Sequence, residues 1–145
     1  MKRTNKPGQI FSLAILMVFT LMAAVSFARE ISDTTANGWN APETAKAVEN
    51  PISTETKAVE TGKKLFAQQC ATCHGNSGKG DGPAGKYLGK PLPDFTTAEF
   101  QEQTDGEIFW KITTGKAPMP TFEKMLTDEQ RWQVINFIRS LSTED

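Results

Sequence analysis

The sequence has few residues of the kinds that bind metals through nitrogen or sulfur. Among its 145 residues there are one histidine and two cysteines. A four-ligand structural zinc site draws its ligands from Cys and His, so three such residues are too few to form one. The single histidine also excludes a metal site with two histidine ligands from this chain.

Clusters of basic residues are lacking beyond the N-terminal region. Residues 1–28 hold three of the 16 Lys and Arg residues and none of the 17 Asp and Glu residues, so residues 29–145 carry 13 basic and 17 acidic residues, a net charge of −4. A nucleic-acid-binding domain normally has a clustered basic footprint. The sequence therefore argues against a nucleic-acid partner.

Residues 1–28 have the features of an export signal. Three basic residues among the first six precede an apolar stretch over residues 10–25, and Ser-Phe-Ala at 26–28 offers small residues for cleavage. We expect the mature chain to begin near Arg29. The alternative is an uncleaved membrane anchor, because residues 10–27 are 18 uncharged residues, which is close to the shortest membrane span. With either alternative the remaining chain is expected outside the cytoplasm, in the periplasm, free or membrane-anchored.

Residues 29–55 are predicted to be a flexible linker or an extension of the domain that follows. The segment is rich in Thr, Ala, Asn and Glu, and Pro42 and Pro51 interrupt any helix. Two interpretations of Trp39 stay open, one in which it docks on the domain and one in which it faces solvent. The domain itself is expected over residues 56–145.

Helical periodicity begins near Thr56. Val59, Gly62 and Phe66 fall on one face of a predicted helix, which leads directly into Cys70. No later stretch alternates as a strand would, so the sequence predicts an all-α fold. A domain of this size has a marginal core, and a large apolar cofactor would help it to fold.

Two further helices have recognisable start signals. Thr104 and Glu107 form a capping-box pattern, in which both side chains satisfy free N–H groups of the first turn, and Gly115 is placed to end that helix. Thr127 and Gln130 repeat the capping-box pattern before the last helix.

The chemistry of the chain is concentrated at residues 70–74, Cys-Ala-Thr-Cys-His. C-x-x-C-H is the attachment sequence of c-type haem, in which the two thiols add to the haem vinyl groups and the histidine ligates the iron. The sequence thus predicts one covalent haem c held by Cys70 and Cys73, with His74 as an axial ligand. A thioredoxin-like redox pair would need a βαβ context, which is not predicted here.

A second axial ligand must come from a residue other than histidine, and methionine is the leading candidate. Three of the five methionines lie within residues 1–28, which leaves Met119 and Met125. Met119 stands between Pro118 and Pro120, which stiffen the loop around it. Met125 precedes the last helix, where a core side chain that fills a gap is the more usual role. The loop therefore favours Met119.

The sequence from residue 56 to 145 resembles the class I cytochromes c. The matching residues are Gly62 and Phe66, the C-x-x-C-H-G at 70–75, the G-D-G-P at 80–83, Met119-Pro120-x-Phe122, Arg131-Trp132, and Phe137-Ile138-Arg139-x-Leu141. The resemblance implies a class I cytochrome c fold with three to four main helices around one covalently bound haem. It also favours Met119 as the second ligand.

Two further features are implied by the resemblance alone. The first and last helices should cross closely, with Gly62, Phe66 and Phe137 at the contact. The backbone carbonyl of Pro83 should accept a hydrogen bond from the other ring nitrogen of His74, which would fix the imidazole and tune the iron.

These features predict an electron-transfer protein rather than an enzyme. With His74 and Met119 both on iron, no site is open for a substrate, and we expect single electrons to pass between redox partner proteins, a donor and an acceptor. Two alternatives stay open. The domain could be the haem-bearing subunit of a larger oxidoreductase, with membrane association through the N-terminal segment, or a haem protein that binds small ligands through a displaceable sixth ligand.

Overall fold

The structure is a computed structural model that describes residues 38–52 and 54–142. The predicted signal or anchor at 1–28 lies outside these residues. The predicted limits of the linker, 29–55, and of the domain, 56–145, stay predictions. The described residues from Trp39 onward form one compact unit.

This part of the chain folds into six α-helices and one turn of 3₁₀ helix, with no strand. In chain order they are α1 (Glu43–Lys46), α2 (Thr56–Gln69), α3 (Ala71–His74), the 3₁₀ turn (Gly85–Tyr87), α4 (Ala98–Gln101), α5 (Asp105–Thr114) and α6 (Asp128–Arg139). Only α2, α5 and α6 have ten residues or more. The predicted all-α fold with three to four main helices is confirmed. Within the described ranges, no helix combines the length and apolarity needed to cross a bilayer.

The predicted starts of α5 and α6 coincide with their caps. Thr127 Oγ1 accepts a hydrogen bond from the N–H of Gln130, whose Oε1 accepts one from the N–H of Thr127, so the capping box of α6 is complete. Thr104 Oγ1 accepts from the N–H of Glu107 at 3.2 Å. The second half of that predicted box differs, because the Glu107 carboxylate accepts a hydrogen bond from Lys111 Nζ at 2.7 Å, one turn further along α5.

The two longest helices, α2 and α6, cross at a glycine. A Cβ atom built on Gly62 would lie 1.8 Å from the carbonyl oxygen of Gln133, so only a residue without a side chain allows the two backbones to approach this closely. One turn along each helix, the rings of Phe66 and Phe137 pack with their centroids 5.2 Å apart. The close crossing implied by the class I resemblance is present.

One hydrophobic core lies between these helices and the loops that connect them. Trp132, Val134, Ile135 and Ile138 of α6 face the core together with Ile108 and Ile112 of α5, and loop residues Phe95, Phe122 and Leu126 complete it.

The segment before α2 packs on the start of α5. Ala41 is buried, and Thr104 Oγ1 donates a hydrogen bond to the carbonyl of Lys46 at 2.9 Å. Gly106, in the first turn of α5, leaves no space for a side chain, since a Cβ there would lie 2.1 Å from the carbonyl oxygen of Ala45. Residues 41–46, within the predicted linker or extension, therefore contact the domain closely.

Asn50 links the same segment to both α5 and α6. Its Nδ2 donates to Asp105 Oδ2 at 3.0 Å and to Asn136 Oδ1 at 2.8 Å. Asp105 in turn accepts a hydrogen bond from Arg139 Nε at 2.7 Å. Trp39, whose environment the sequence left open, is half-buried.

Replacing Gly62 tests the helix crossing. We expect Gly62→Ala to lower the free energy of unfolding of the native protein by about 2 kcal/mol, because the added methyl overlaps the Gln133 carbonyl and the helices must move apart. Chemical denaturation measures the change. Lys63→Ala, the adjacent exposed position, is the control and should leave stability nearly unchanged. Equal stability of the two variants would contradict the close crossing.

Candidate functional site

The two cysteines and the histidine lie in a single helical turn. Helix α2 ends at Gln69 and α3 begins at Ala71, with Cys70 as the cap between them. The amides of Cys73 and His74 both donate to the Cys70 carbonyl, at 3.1 and 2.9 Å. Residues three apart in a helical turn share a face, which brings both thiols to the same side. Both cysteines are free thiols.

Burial controls the protonation of this turn. It raises the pKa of the Cys70 thiol to about 12, with a further contribution from Cys73, so Cys70 is a neutral thiol at neutral pH. Burial lowers the pKa of His74, which is therefore a neutral imidazole at neutral pH. Neutral imidazole is the form of histidine that ligates a metal.

The ring of His74 lies in an apolar environment. It stacks on Phe95 with centroids 4.7 Å apart and an angle of 27° between the planes, and its Nδ1 is buried without a hydrogen-bond partner. The implied hydrogen bond to the Pro83 carbonyl is therefore absent from this structure. The amides on either side of Pro83, those of Gly82 and Ala84, donate to carbonyls of α3.

A glycine-rich loop covers the carbonyl end of α3. The amides of Gly80, Gly82 and Ala84 donate to the carbonyls of His74, Cys73 and Thr72, at 2.8, 3.1 and 2.9 Å. These are carbonyls that the end of a helix leaves unsatisfied. The approach requires a glycine, because a Cβ at position 82 would lie 2.5 Å from the Cys73 carbonyl. The backbone of the motif is thus held by backbone hydrogen bonds on one side.

Met119 lies at the end of a tight turn. The amides and carbonyls of Lys116 and Met119 exchange two hydrogen bonds, at 3.1 and 3.0 Å, with the cis Ala117–Pro118 bond between them. The Met119 side chain is partly buried and packs against the same core as Cys70. The structure therefore brings Met119, the predicted second axial ligand, to the core that also receives the motif.

Met125 differs from its predicted role as a gap-filling core residue. Its side chain is 56% exposed. The amides of Met125 and Leu126 both donate to the Phe122 carbonyl, which makes a helical turn. In that turn Phe122 and Leu126 face inward and Met125 faces outward. The prediction for Met125 is wrong. Its position before α6 suggested a core side chain, but this turn directs the side chain to the surface.

Several aromatic residues around the site were not identified from the sequence. Phe95 contacts both His74 and Phe66, and the ring of Phe109 stacks on Trp132 with centroids 4.0 Å apart. The residues in each contact lie far apart in the sequence, so no local pattern indicates that they meet. Together with the core they provide an apolar environment beside the motif.

The residues present fit a covalently attached haem. Two thiols on one helical face, a partly buried neutral imidazole directly after them and a partly buried thioether are the donor types that c-type haem uses. The ring of Phe95 stacked on His74 and the hydrophobic core beside it suit a large planar apolar group.

Comparison with known proteins supports this assignment. A family described as "Cytochrome C oxidase, cbb3-type, subunit III" matches residues 57–138, which is more than half of the chain. Cytochrome c6 of Rippkaea orientalis is 31% identical over 87 residues, 58% of this chain and 71% of that protein. The cbb3-type cytochrome c oxidase subunit CcoP of Azospirillum brasilense is 34% identical over 80 residues, 54% of this chain but only 27% of the subunit.

Two solved structures share the fold and about a third of the sequence. A chain of the Kuenenia stuttgartiensis reducing HAO-like protein complex Kustc0457/Kustc0458 is 32% identical with a TM-score of 0.57, over 66% of this chain and half of that one. The KustC0563 c-type cytochrome is 33% identical with a TM-score of 0.50, over 57% of this chain and 98% of that one.

The helical fold, the motif turn and these relatives agree with one another. The chain belongs to the family of the cbb3-type subunit III cytochrome domain, and it is a class I, mono-haem c-type cytochrome, an electron-transfer protein with covalently bound haem c.

Proposed function

We propose that this cytochrome is a single-electron carrier in which Cys70 and Cys73 form the thioether bonds to haem and His74 and Met119 are the axial ligands. The observation that carries the proposal is the partly buried His74 imidazole beside both thiols, with Met119 packed on the same core. The hydrogen bond from His74 Nδ1 to the Pro83 carbonyl stays a prediction for the haem-bound protein; in this structure Nδ1 has no hydrogen-bond partner.

Two side-chain ligands leave no coordination position for a substrate, so we propose that the protein is not an enzyme. Haem supplies the one-electron exchange of its iron, and a neutral sulfur ligand favours the ferrous form and raises the reduction potential. The work of the chain is to keep His74 and Met119 in place in both oxidation states. The apolar shell formed by Phe95 and its neighbours limits the access of water to the His74 side.

We propose that the protein is exported and acts in the periplasm. The support is the sequence of residues 1–28, with a basic start, an apolar stretch and small residues at its end. With the signal removed, the chain has a net charge of −4. An acidic carrier would associate fastest with redox partners whose docking surfaces are basic.

A second candidate is that the domain works as the haem-bearing subunit of a larger assembly. Two relatives favour it, the CcoP subunit of a cbb3-type oxidase and the chain from the HAO-like protein complex. This chain corresponds to only a part of each of them. The chemistry proposed for the site is the same for both candidates, which differ in whether the domain diffuses freely.

Replacing Met119 tests the axial ligand. We expect Met119→Ala to abolish the iron–sulfur charge-transfer band of the oxidised protein and to lower the reduction potential, while haem stays covalently bound. Absorption spectroscopy and potentiometry measure both changes. Met125→Ala is the matched control, since its side chain is exposed, and it should keep the band. If Met125→Ala loses the band instead, the assignment is wrong.

The same preparations test the ligand-binding alternative. Reduced wild-type protein should bind carbon monoxide slowly or not at all at neutral pH, whereas reduced Met119→Ala should bind it rapidly. Rapid stoichiometric binding by the wild type would exclude the simple carrier.

Replacing the cysteines tests covalent attachment. Cys70→Ser and Cys73→Ser should each leave one thioether bond or none, because each thiol makes one of the two bonds. The number of thioether bonds can be read from the absorption of the pyridine complex of the denatured protein, whose α band moves to longer wavelength for each vinyl group that is left unsaturated by a thiol. Ser77→Ala, an exposed position in the following loop, is the control and should keep the band of the wild type. An unchanged band in a cysteine variant would refute that thiol's role.

Native mass spectrometry of the purified protein tests export and the choice between carrier and subunit. We expect one haem per chain, an N-terminus near Arg29 and no bound protein, as a cleaved signal and a free carrier require. A retained N-terminal segment together with a co-purifying oxidoreductase would favour the subunit.

A further inference from the structure

Arg131 is a buried charged residue to which the proposed function gives no role. It lies in the first turns of α6 and only 3% of its surface is exposed. A buried guanidinium loses its hydration, so its hydrogen bonds to the protein must replace the lost water. Nη1 donates to the carbonyls of Phe122 and Leu126, at 3.3 and 3.0 Å, and Nη2 pairs with Asp128 Oδ1 at 2.5 Å.

The two carbonyls belong to the segment that follows Met119. Phe122 comes three residues after Met119 and Leu126 four residues later, and the side chains of both are in the core. The Phe122 carbonyl also accepts the amide of Leu126 at 3.0 Å, so Arg131 bonds to both ends of a single turn. Through this turn, Arg131 holds the segment after Met119 on α6.

Two hydrogen bonds hold the segment after Met119 on α5. The Phe122 amide donates to the Ile112 carbonyl at 3.2 Å, and Thr121 Oγ1 donates to the Thr113 carbonyl at 2.6 Å. The segment runs into α6 at its N-cap, Thr127, and α6 packs on α2, whose C-cap is the motif cysteine Cys70. Arg131 adds side-chain hydrogen bonds that fix the 122–126 turn on this pair of helices.

The guanidinium is also fixed by aromatic stacking. Its Cζ lies 4.9 Å from the centroid of the Phe109 ring, which stacks on Trp132. A cation over an aromatic face is attracted to it, and the planar guanidinium can donate to two carbonyls at once. A lysine at this position could keep the charge but would lose the planar, two-carbonyl geometry.

We propose that Arg131 is a positioning residue for Met119: it fixes the 122–126 turn on α6 and so keeps the thioether at the distance from His74 that iron ligation requires. This inference rests on the proposed His74/Met119 ligation. Without the guanidinium, the segment after Met119 would retain its hydrogen bonds to α5. It would lose its fixed position relative to the motif at residues 70–74. The equilibrium between methionine-bound and methionine-free iron would then shift towards the free form.

Imidazole, which competes with methionine for oxidised iron, measures that equilibrium. We expect Arg131→Met to keep covalent haem and to lower the apparent dissociation constant for imidazole about tenfold. The variant loses charge-assisted hydrogen bonds that favour the methionine-bound form, so imidazole displaces Met119 more easily. Loss of the iron–sulfur band follows the titration. Arg131→Lys should fall between this variant and the wild type, and it serves for the comparison if Arg131→Met yields no folded protein.

Arg139→Met is the matched control. Arg139 lies on the same helix and its guanidinium also donates to two main-chain carbonyls, those of Gln101 and Gln103, and pairs with Asp105. The partners of Arg139 lie before or at the start of α5, so these hydrogen bonds do not reach the segment after Met119. Arg139→Met should therefore have the imidazole affinity of the wild type, even if the variant unfolds more easily.

Two results would overturn the inference. Equal shifts in imidazole affinity for Arg131→Met and Arg139→Met would show that lost stability alone explains them, and wild-type affinity in a folded Arg131→Met protein would show that Arg131 does not position Met119. Failure of the proposed ligation has a different signature, because Met119→Ala would then keep the band of the wild type.

Discussion

The contact between Gly62 and the Gln133 carbonyl is the constraint on which the rest of the domain depends. Helix α2 continues directly into the turn that contains both cysteines and the histidine, and α6 carries the arginine that reaches the segment after Met119. The angle and distance at which these helices cross therefore determine how the two proposed ligand-bearing segments lie relative to each other. A side chain at position 62 would alter the crossing and, through it, the proposed haem site.

The two sides of this site are held by different kinds of interaction. On the histidine side, backbone amides of a glycine-rich loop satisfy the carbonyls of α3, so the position of His74 depends on main-chain geometry. On the methionine side, the segment after Met119 is held by two hydrogen bonds to α5 and by the buried guanidinium of Arg131. A ligand position that depends on a side chain can be adjusted by substitution without rebuilding the backbone, whereas one that depends on main-chain contacts cannot.

Buried or half-buried charges in this small domain are paired or bonded to carbonyls. Arg131 contacts Asp128 and two carbonyls, and Lys111 contacts Glu107. Such pairs contribute little to stability on balance, because burial removes hydration from both partners, but losing one partner leaves the other uncompensated. Their effect is to fix the position of one chain segment relative to another. The Arg139–Asp105 pair, with Asn50, does this for the segment before α2 in the same way as Arg131 does for the segment after Met119.

The chemistry that is local in the chain was determined by the sequence alone. The motif at 70–74, the helix starts at Thr104 and Thr127, and the exclusion of a second histidine ligand follow from adjacent residues or from composition, and they need no knowledge of packing. The close crossing at Gly62 could also be expected, but only by resemblance to a family.

Contacts between distant residues were decided only by the tertiary structure. The stacking of His74 on Phe95 depends on a loop residue 21 positions further along the chain. The outward direction of Met125 depends on the turn closed at Phe122, and the role of Arg131 depends on carbonyls that carry no sequence signal. Every residue has the same carbonyl group, so the sequence cannot indicate which carbonyl a buried side chain will meet, and only the packing of the helices determines it.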